Sequence, residues 1–372
     1  MQQLTWNAVV EARFRDASYY YWLLATETLR AAFEHDGADG VRSALPSYQK
    51  HLHRADVYYA YAFVESFFEP FTPHSPEVLF QAARFLMNGL GGEAPRGVSR
   101  VKILFALACQ AKALGAFKLA RFAYEKLQHT KVPDDWLDQL DLDTVAVRAK
   151  PNRDNPELLP VCYRCGAANA LLNPAAYRDA FGGAVVGGFT QALAADASSQ
   201  WVKHHDVCTS CGHPFVRSFL TFDVLPLVEF LPEPGLTDQE TIDLIREAPP
   251  DTGRRRLDDD LVDEPHSPGL DDEDLFNRCI NRALSTQQGA DSYVTVTVDA
   301  DTLKSLRREE VYVCQPTFAG MRATFYKSAL PDVHLAISHH RFFHEEDFEF
   351  AVLRHGHCPY SRVTHLADTG PC

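Results

Sequence analysis

The chain has 372 residues, of which 46% are hydrophobic and 23% charged, and its formal net charge is −14. This length predicts a sizeable core and two or more domains. Direct membrane insertion is not expected because no apolar run could cross a bilayer, and the negative charge disfavours nucleic-acid binding. The N-terminus lacks a secretory-signal pattern, and four of the nine cysteines form two close pairs, which indicates metal binding in a reducing compartment.

The first 150 residues predict a series of helices. Apolar spacing, together with helix start and stop residues, indicates helices over residues 16–33, 47–68, 75–88 and 99–113. Ser75 is the expected N-cap of the third helix, with Pro76 at its first helical position.

Residues 101–133 have the pattern of a tetratricopeptide unit. Leu114 and Gly115 separate two helices, and Ala120, Tyr124 and Leu127 lie along the second. A small residue at position 120 lets neighbouring helices approach closely. The pattern predicts a tetratricopeptide-like α-solenoid over residues 1–150, and the alternative is an ordinary helical hairpin packed on its own core.

Two CxxC motifs follow, and they supply four thiolates at Cys162, Cys165, Cys208 and Cys211. Thiolates at this spacing can turn back on one tetrahedral ion, and the glycines after each pair ease the turn. Four cysteine ligands leave no open position, so we expect a structural zinc ion (Zn²⁺) rather than a catalytic one. The alternatives are a thioredoxin-like redox pair and chance spacing.

The surrounding sequence predicts a zinc-ribbon-like α+β module over residues 151–248. The segment 173–203, rich in Gly and Ala, is expected to be an inserted loop, since it widens the usual ribbon spacing. Thr237 and Glu240 form a capping-box pattern for a helix up to Arg246. Residues 249–290 are rich in proline and acidic residues and predict a disordered linker. A calcium site is the alternative, although the glycine and spacing of an EF-hand are missing.

The last segment, residues 291–372, predicts a small α+β module. Strands are expected over residues 293–298 and 311–314, with a short helix over 303–308 between them. Histidines are frequent here, and imidazole is a common zinc ligand. A second metal site is therefore one hypothesis, and its candidate ligands are His339, His344, His357 and Cys358. The alternative is that these histidines lie at the surface or cap helices.

Several blocks of the sequence, in order, resemble the C-terminal half of the intraflagellar transport protein 122 family. They are residues 4–14, 101–105, 112–117, 148–151, the motif at 162–165, and residues 223–230, 235–238, 344–349 and 355–360. The resemblance covers nearly the whole chain. That family has N-terminal WD40 propellers, which have no counterpart among these blocks, followed by a tetratricopeptide-like solenoid and zinc-binding segments. The resemblance therefore implies a mainly α fold in which the solenoid precedes the zinc-binding segments.

The same resemblance implies a non-enzymatic scaffold subunit of intraflagellar transport complex A. Its expected role is retrograde transport in cilia and flagella and the ciliary import of membrane proteins. The implied partners are the other complex A subunits, with adaptor proteins and receptor cargo as further candidates. The implied location is the cilium or flagellum and the basal body, on the cytoplasmic side.

The chain departs from the family pattern in its last segment, which makes that zinc-type segment degenerate. Where the family resembles a second pair of CxxC motifs, this chain has Ala336, His339, Cys358 and Ser361. One bound zinc ion is therefore expected. A second ion would require that His340, His344 or His357 take the place of the missing ligands.

Three alternatives remain from other functional classes. A vesicle-coat or tethering subunit shares the propeller, solenoid and zinc layout. A zinc-dependent ubiquitin ligase would need a cross-braced RING with about eight ligands. A zinc-ribbon nucleic-acid binder would show a basic face. No catalytic constellation is found, and the glycine-rich residues 89–94 follow a predicted helix instead of a strand, so an enzyme is not expected.

Overall fold

The computed structural model describes residues 1–90, 94–174, 206–246, 274–287, 289 and 293–364. The fold is mainly α. The N-terminal helices are α1 (Gln2–Val10), α2 (Phe14–Ser66), α3 (Pro76–Gly89), α4 (Arg100–Ala113), α5 (Phe117–Gln128) and α6 (Leu137–Arg148). Each of them packs against the next along the chain. In the part of the chain that the structure describes, no helix is both long and apolar enough to cross a membrane.

The helix boundaries follow local chemistry. Ser75 Oγ accepts a hydrogen bond from Val78 N with Pro76 at the first position, so the predicted start of α3 is confirmed. The predicted break between α4 and α5 is also confirmed, and Gly115 there has φ +81°. The helices predicted over 16–33 and 47–68 belong to one run, α2, which has non-helical torsions at Gly37 (φ 59°, ψ −137°).

In its described residues, the C-terminal half contains four helices and two small sheets. Its elements are β1 (Leu227–Pro232), α7 (Asp238–Arg246), α8 (Leu275–Thr286), β2 (Val296–Val298), α9 (Ala300–Ser305), β3 (Val311–Cys314), β4 (Thr324–Ser328), β5 (Leu335–Ser338), β6 (Arg341–His344) and α10 (Glu345–His355). The larger sheet has the order β2-β1-β4-β3, in which only β1 and β2 are parallel, and β5 pairs with β6. One sheet therefore joins β1, from the predicted unit 151–248, to strands of the predicted unit 291–372.

The linker predicted over residues 249–290 is wrong in its C-terminal part, because α8 lies there. Asp274 accepts a hydrogen bond from Phe276 N and caps this helix. Phe276, Cys279 and Ile280 are buried against the strand residue Phe230. The neighbouring acidic run hid the helical spacing of these apolar residues. Residues 249–273, 288 and 290 of the predicted linker and residues 175–203 of the predicted inserted loop lie outside the described residues.

Other C-terminal predictions are correct with shifted bounds. The capping box is present, since Thr237 N donates to Glu240 Oε2 (2.8 Å) and Glu240 N donates to Thr237 Oγ1 (3.2 Å). The predicted strand over 293–298 is reduced to β2. The predicted helix over 303–308 is α9, which begins earlier because Asp299 caps it through Thr302 N.

A buried charge cluster connects the two halves of the molecule. Arg341 Nε and Nη2 donate to the two carboxylate oxygens of Asp56 at 3.0 and 2.7 Å, and the Tyr360 hydroxyl donates to Asp56 Oδ1 at 2.7 Å. The Arg341 guanidinium also lies over the Phe219 and Tyr360 rings. Phe222 and Tyr360 contact the Tyr59 ring of α2, so one apolar core includes residues of both halves.

We expect Asp56→Ala to lower the free energy of unfolding by about 3–5 kcal/mol, because the buried Arg341 charge would lose its partner. Urea unfolding at neutral pH measures this change. The matched control is Asp39→Ala, which removes an exposed ion pair with Arg42 and should have no resolvable effect. Equal stability of the two variants would contradict the role of the cluster.

Candidate metal centre

The four predicted cysteines lie together. Cys162 Sγ is 3.6 Å from Cys211 Sγ, Cys165 Sγ is 3.6 Å from Cys208 Sγ, and all four sulfur atoms lie within 4.8 Å of one another. A tetrahedral ion with metal–sulfur bonds near 2.3 Å separates its ligands by about 3.8 Å. The arrangement therefore fits a four-thiolate metal site without rearrangement, and all four ligand positions would be occupied by protein.

The backbone of each CxxC motif forms a tight knuckle. Cys162 N donates to Ala167 O (3.0 Å), and Gly166 N donates to Cys162 O (2.8 Å). The second motif has the same two hydrogen bonds, both 2.8 Å, and Gly212 takes the place of Gly166. Both glycines have φ +70°, a torsion that other residues rarely adopt. The knuckle thus directs both thiols of a motif to the same side.

The same backbone pattern recurs at two other places in the chain. In residues 218–223, Phe222 N donates to Ser218 O (2.9 Å) and Ser218 N donates to Asp223 O (3.2 Å). In residues 358–363, Arg362 N and Cys358 N make the equivalent bonds at 3.0 and 2.9 Å. Phe222 and Arg362 have φ +58° and +56°.

The sequence does not predict the knuckle at 218–223, because this segment has neither a cysteine nor a glycine. Its local signal is weak, since a positive φ at phenylalanine is not predicted from sequence. Phe219 in this knuckle contacts Tyr360 in the knuckle at 358–363, with ring centroids 5.5 Å apart. Aromatic packing therefore joins these two knuckles, in contrast to the sulfur cluster that joins the first two.

The four thiols cannot all be ionised without a cation. Hydrogen bonds from the Cys162 and Cys211 thiols lower the pKa of Cys208, so its thiolate forms first. The reciprocal bonds to Cys208 and Cys211, together with burial, raise the pKa of Cys162. Because three of the four cysteines are buried, a set of four thiolates there would need the neutralising charge of a metal ion.

Asn169 connects the two knuckles outside the sulfur cluster. Its Nδ2 donates to Cys208 Sγ (3.5 Å), and its Oδ1 accepts from Thr209 N and Thr209 Oγ1 at 2.8 and 2.9 Å. Ser210 N also donates to Cys208 Sγ at 3.4 Å. These N–H groups stabilise the thiolate and fix its direction, as supporting residues around metal ligands usually do.

Arg164, inside the first CxxC motif, binds the site to the C-terminal half. Its Nη1 donates to Cys211 O (3.2 Å) and to Gln287 Oε1 (2.9 Å), and its Nη2 donates to Val294 O (2.6 Å). Gln287 Nε2 donates to the same Cys211 carbonyl at 2.7 Å. The metal site is thereby attached to the end of α8 and to the segment before β2.

A buried imidazole supports the second knuckle. His213 Nε2 accepts from Glu229 N of β1 at 3.3 Å. Burial, followed by the nearby Arg164 charge, lowers the pKa of His213 to about 4, so the ring is neutral at physiological pH. This hydrogen bond attaches the knuckle to the larger sheet.

The residues of the predicted second site do not form a comparable group in the described part of the chain, where the cysteine set is the one cluster of potential ligands. Ser338 Oγ lies 3.3 Å from Cys358 Sγ and 3.1 Å from His339 Nδ1. His344 pairs with Asp223 (3.0 Å), and this hydrogen bond raises the pKa of His344. His357 Nδ1 lies 3.0 Å from Cys358 O. The Ser338 hydroxyl thus contacts two of the candidates, His339 and Cys358.

Comparison with known proteins identifies close relatives. The chain is 36% identical to the intraflagellar transport protein 122 homolog of Danio rerio, over 97% of this chain and 28% of that protein. It is 37% identical to the homolog of Homo sapiens, over 100% of this chain and 28% of that protein. The chain therefore spans less than a third of the length of these curated relatives. No family model matches it.

We expect Cys162→Ser to abolish stoichiometric metal binding, because a neutral hydroxyl cannot replace a thiolate ligand. Elemental analysis of the purified protein measures the metal content. The matched control is Cys358→Ser, which changes a buried cysteine outside the cluster and should leave the content unchanged. Loss of metal from the control alone, or retention by Cys162→Ser, would contradict the assignment.

We expect Asn169→Ala to weaken metal affinity by about 10–100-fold, because Cys208 would lose an N–H donor. Competition with a chromophoric chelator measures this affinity. Asn155→Ala is the control, since Asn155 caps a short 3₁₀ turn away from the sulfur atoms. Indistinguishable affinities for the two variants would show that Asn169 does not support the site.

Proposed function

The chain belongs to the intraflagellar transport protein 122 family, and we propose that it acts as a non-enzymatic scaffold subunit of intraflagellar transport complex A. The relatives match it over 97–100% of its length. Their names support a role as an intraflagellar transport subunit. The specific complex and the absence of catalysis are part of the proposal, since the chain covers less than a third of those proteins.

The metal in the four-cysteine site is proposed to be a structural zinc ion. A four-thiolate site leaves no position for water or substrate, so the ion would rigidify the module without performing chemistry. The ligands would be Cys162, Cys165, Cys208 and Cys211. We propose no second zinc, because Ser338 contacts His339 and Cys358 while His344 pairs with Asp223.

The helices of residues 1–150 are proposed to form a tetratricopeptide-like solenoid. Their serial packing supports this assignment. We propose that residues 151–248 and 291–372 make one composite unit, since β1 of the first range pairs with β2 and β4 of the second. The scaffold would then present a helical surface and a zinc-stiffened unit, held together by the Asp56–Arg341 cluster.

The partners are proposed to be other complex A subunits, with adaptor proteins and receptor cargo as further candidates. The proposed setting is retrograde transport and membrane-protein import at the cilium or flagellum and basal body, on the cytoplasmic side. A vesicle-coat role is not favoured by the names of the relatives. A RING-type ligase is not favoured by the four-ligand cluster, which is half of the number that a cross-braced site requires.

We expect Cys211→Ser in flagellated cells to reduce co-purification of intraflagellar transport subunits and to cause transport particles to accumulate at the flagellar tip. The physical reason is that loss of the metal releases the knuckles from α8 and β1. Affinity purification with quantitative mass spectrometry and live imaging provide the two measurements.

Cys109→Ser is the control, because Cys109 is a half-buried cysteine of α4 outside the sulfur cluster. It should leave assembly and transport unchanged. If Cys211→Ser loses metal and still assembles and supports transport normally, the proposed scaffold role of this unit is wrong.

A further inference from the structure

Helix α6 is the last member of the N-terminal helical series and leaves one side exposed. Leu140, Thr144 and Val147 are buried on the side that packs against α5. On the other side, Leu142 is 73% and Val145 is 69% exposed. These two side chains are three positions apart, so they are neighbours on one helical face.

The exposed side of α6 is also acidic. Asp138 and Asp141 are exposed and lie one turn before Leu142 and Val145. Asp134 and Asp135 are exposed in the 3₁₀ turn that precedes α6. In the described part of the chain, the salt bridges include none of these four carboxylates. Asp143, by contrast, pairs with Lys112 of α4 and accepts a hydrogen bond from the Tyr124 hydroxyl of α5.

The earlier helices show what such a face normally contacts. Each of α2 to α5 has a neighbouring helix on two sides, whereas α6 packs mainly against α5. In a helical series, the exposed side of the last helix is where a further helix can pack and bury apolar side chains. The two large apolar side chains on α6 match that requirement, and the surrounding carboxylates determine the charge of the partner.

We propose that the α6 face, defined as Asp138, Asp141, Leu142 and Val145, binds a basic amphipathic helix of a partner protein. Apolar residues of that helix would cover Leu142 and Val145, and its Lys or Arg side chains would pair with the carboxylates. A second copy of this chain is unfavourable there, because two such faces would bring like charges together. The contact requires only this surface and is independent of the complex to which the chain belongs.

The test uses the full chain and a fluorescein-labelled synthetic helix with leucines on one face and lysines on the other. Fluorescence anisotropy measures the affinity, and hydrogen exchange measures protection of the α6 amides. We expect binding that weakens with salt and that falls by about tenfold or more in Leu142→Ser/Val145→Ser and in Asp138→Asn/Asp141→Asn. All four side chains are solvent-exposed, so thermal unfolding should not change.

The control surface is on α10, where Phe350 and Leu353 are exposed next to Glu346 and Glu349. Phe350→Ser/Leu353→Ser should leave the affinity unchanged. The proposal is overturned if the lysine helix does not bind, or if the α6 variants retain full affinity. It is also overturned if the α10 variant weakens binding as much as the α6 variants, since that would indicate general attraction to an acidic protein.

Discussion

The relation between the two halves depends on the contacts of the mostly buried Asp56 carboxylate. This carboxylate accepts two hydrogen bonds from Arg341 and one from Tyr360, so its charge is neutralised and hydrogen-bonded inside the protein. A charge in such a position is costly without partners, which makes this contact specific for one arrangement of the chain. The aromatic rings of Tyr59, Phe222 and Tyr360 surround the cluster and supply the apolar burial.

Four knuckles with the same hydrogen-bond pattern are connected in two different ways. The knuckles at 162–167 and 208–213 share a sulfur cluster that fits one metal ion. The knuckles at 218–223 and 358–363 contact each other through Phe219 and Tyr360. The backbone turn therefore does not need a cysteine pair, since the knuckle at 218–223 has the same two hydrogen bonds and one residue with positive φ.

The contrast between the two pairs has a consequence for stability. Four thiolates that are this close together and mostly buried would need a cation, so with a bound metal the folding of this cluster should depend on metal and pH. The aromatic pair has no such requirement. Hydrogen bonds of Arg164 and His213 connect the cysteine site to α8 and β1. The hydrogen bonds between Arg341 and Asp56 connect the C-terminal half to α2.

The sequence by itself determined the features that depend on residues within about five positions of each other. These include the Ser75 cap, the Thr237–Glu240 capping box, the break before Gly115 and the pairing of thiols within each CxxC motif. The tertiary structure alone decided which distant groups meet: Arg164 with Gln287, His344 with Asp223, and Ser338 with Cys358. It also decided the helical state of 275–286 and the knuckle at 218–223. The physical reason is that packing and burial of segments far apart in the chain select these contacts, and their energies do not appear in any local pattern.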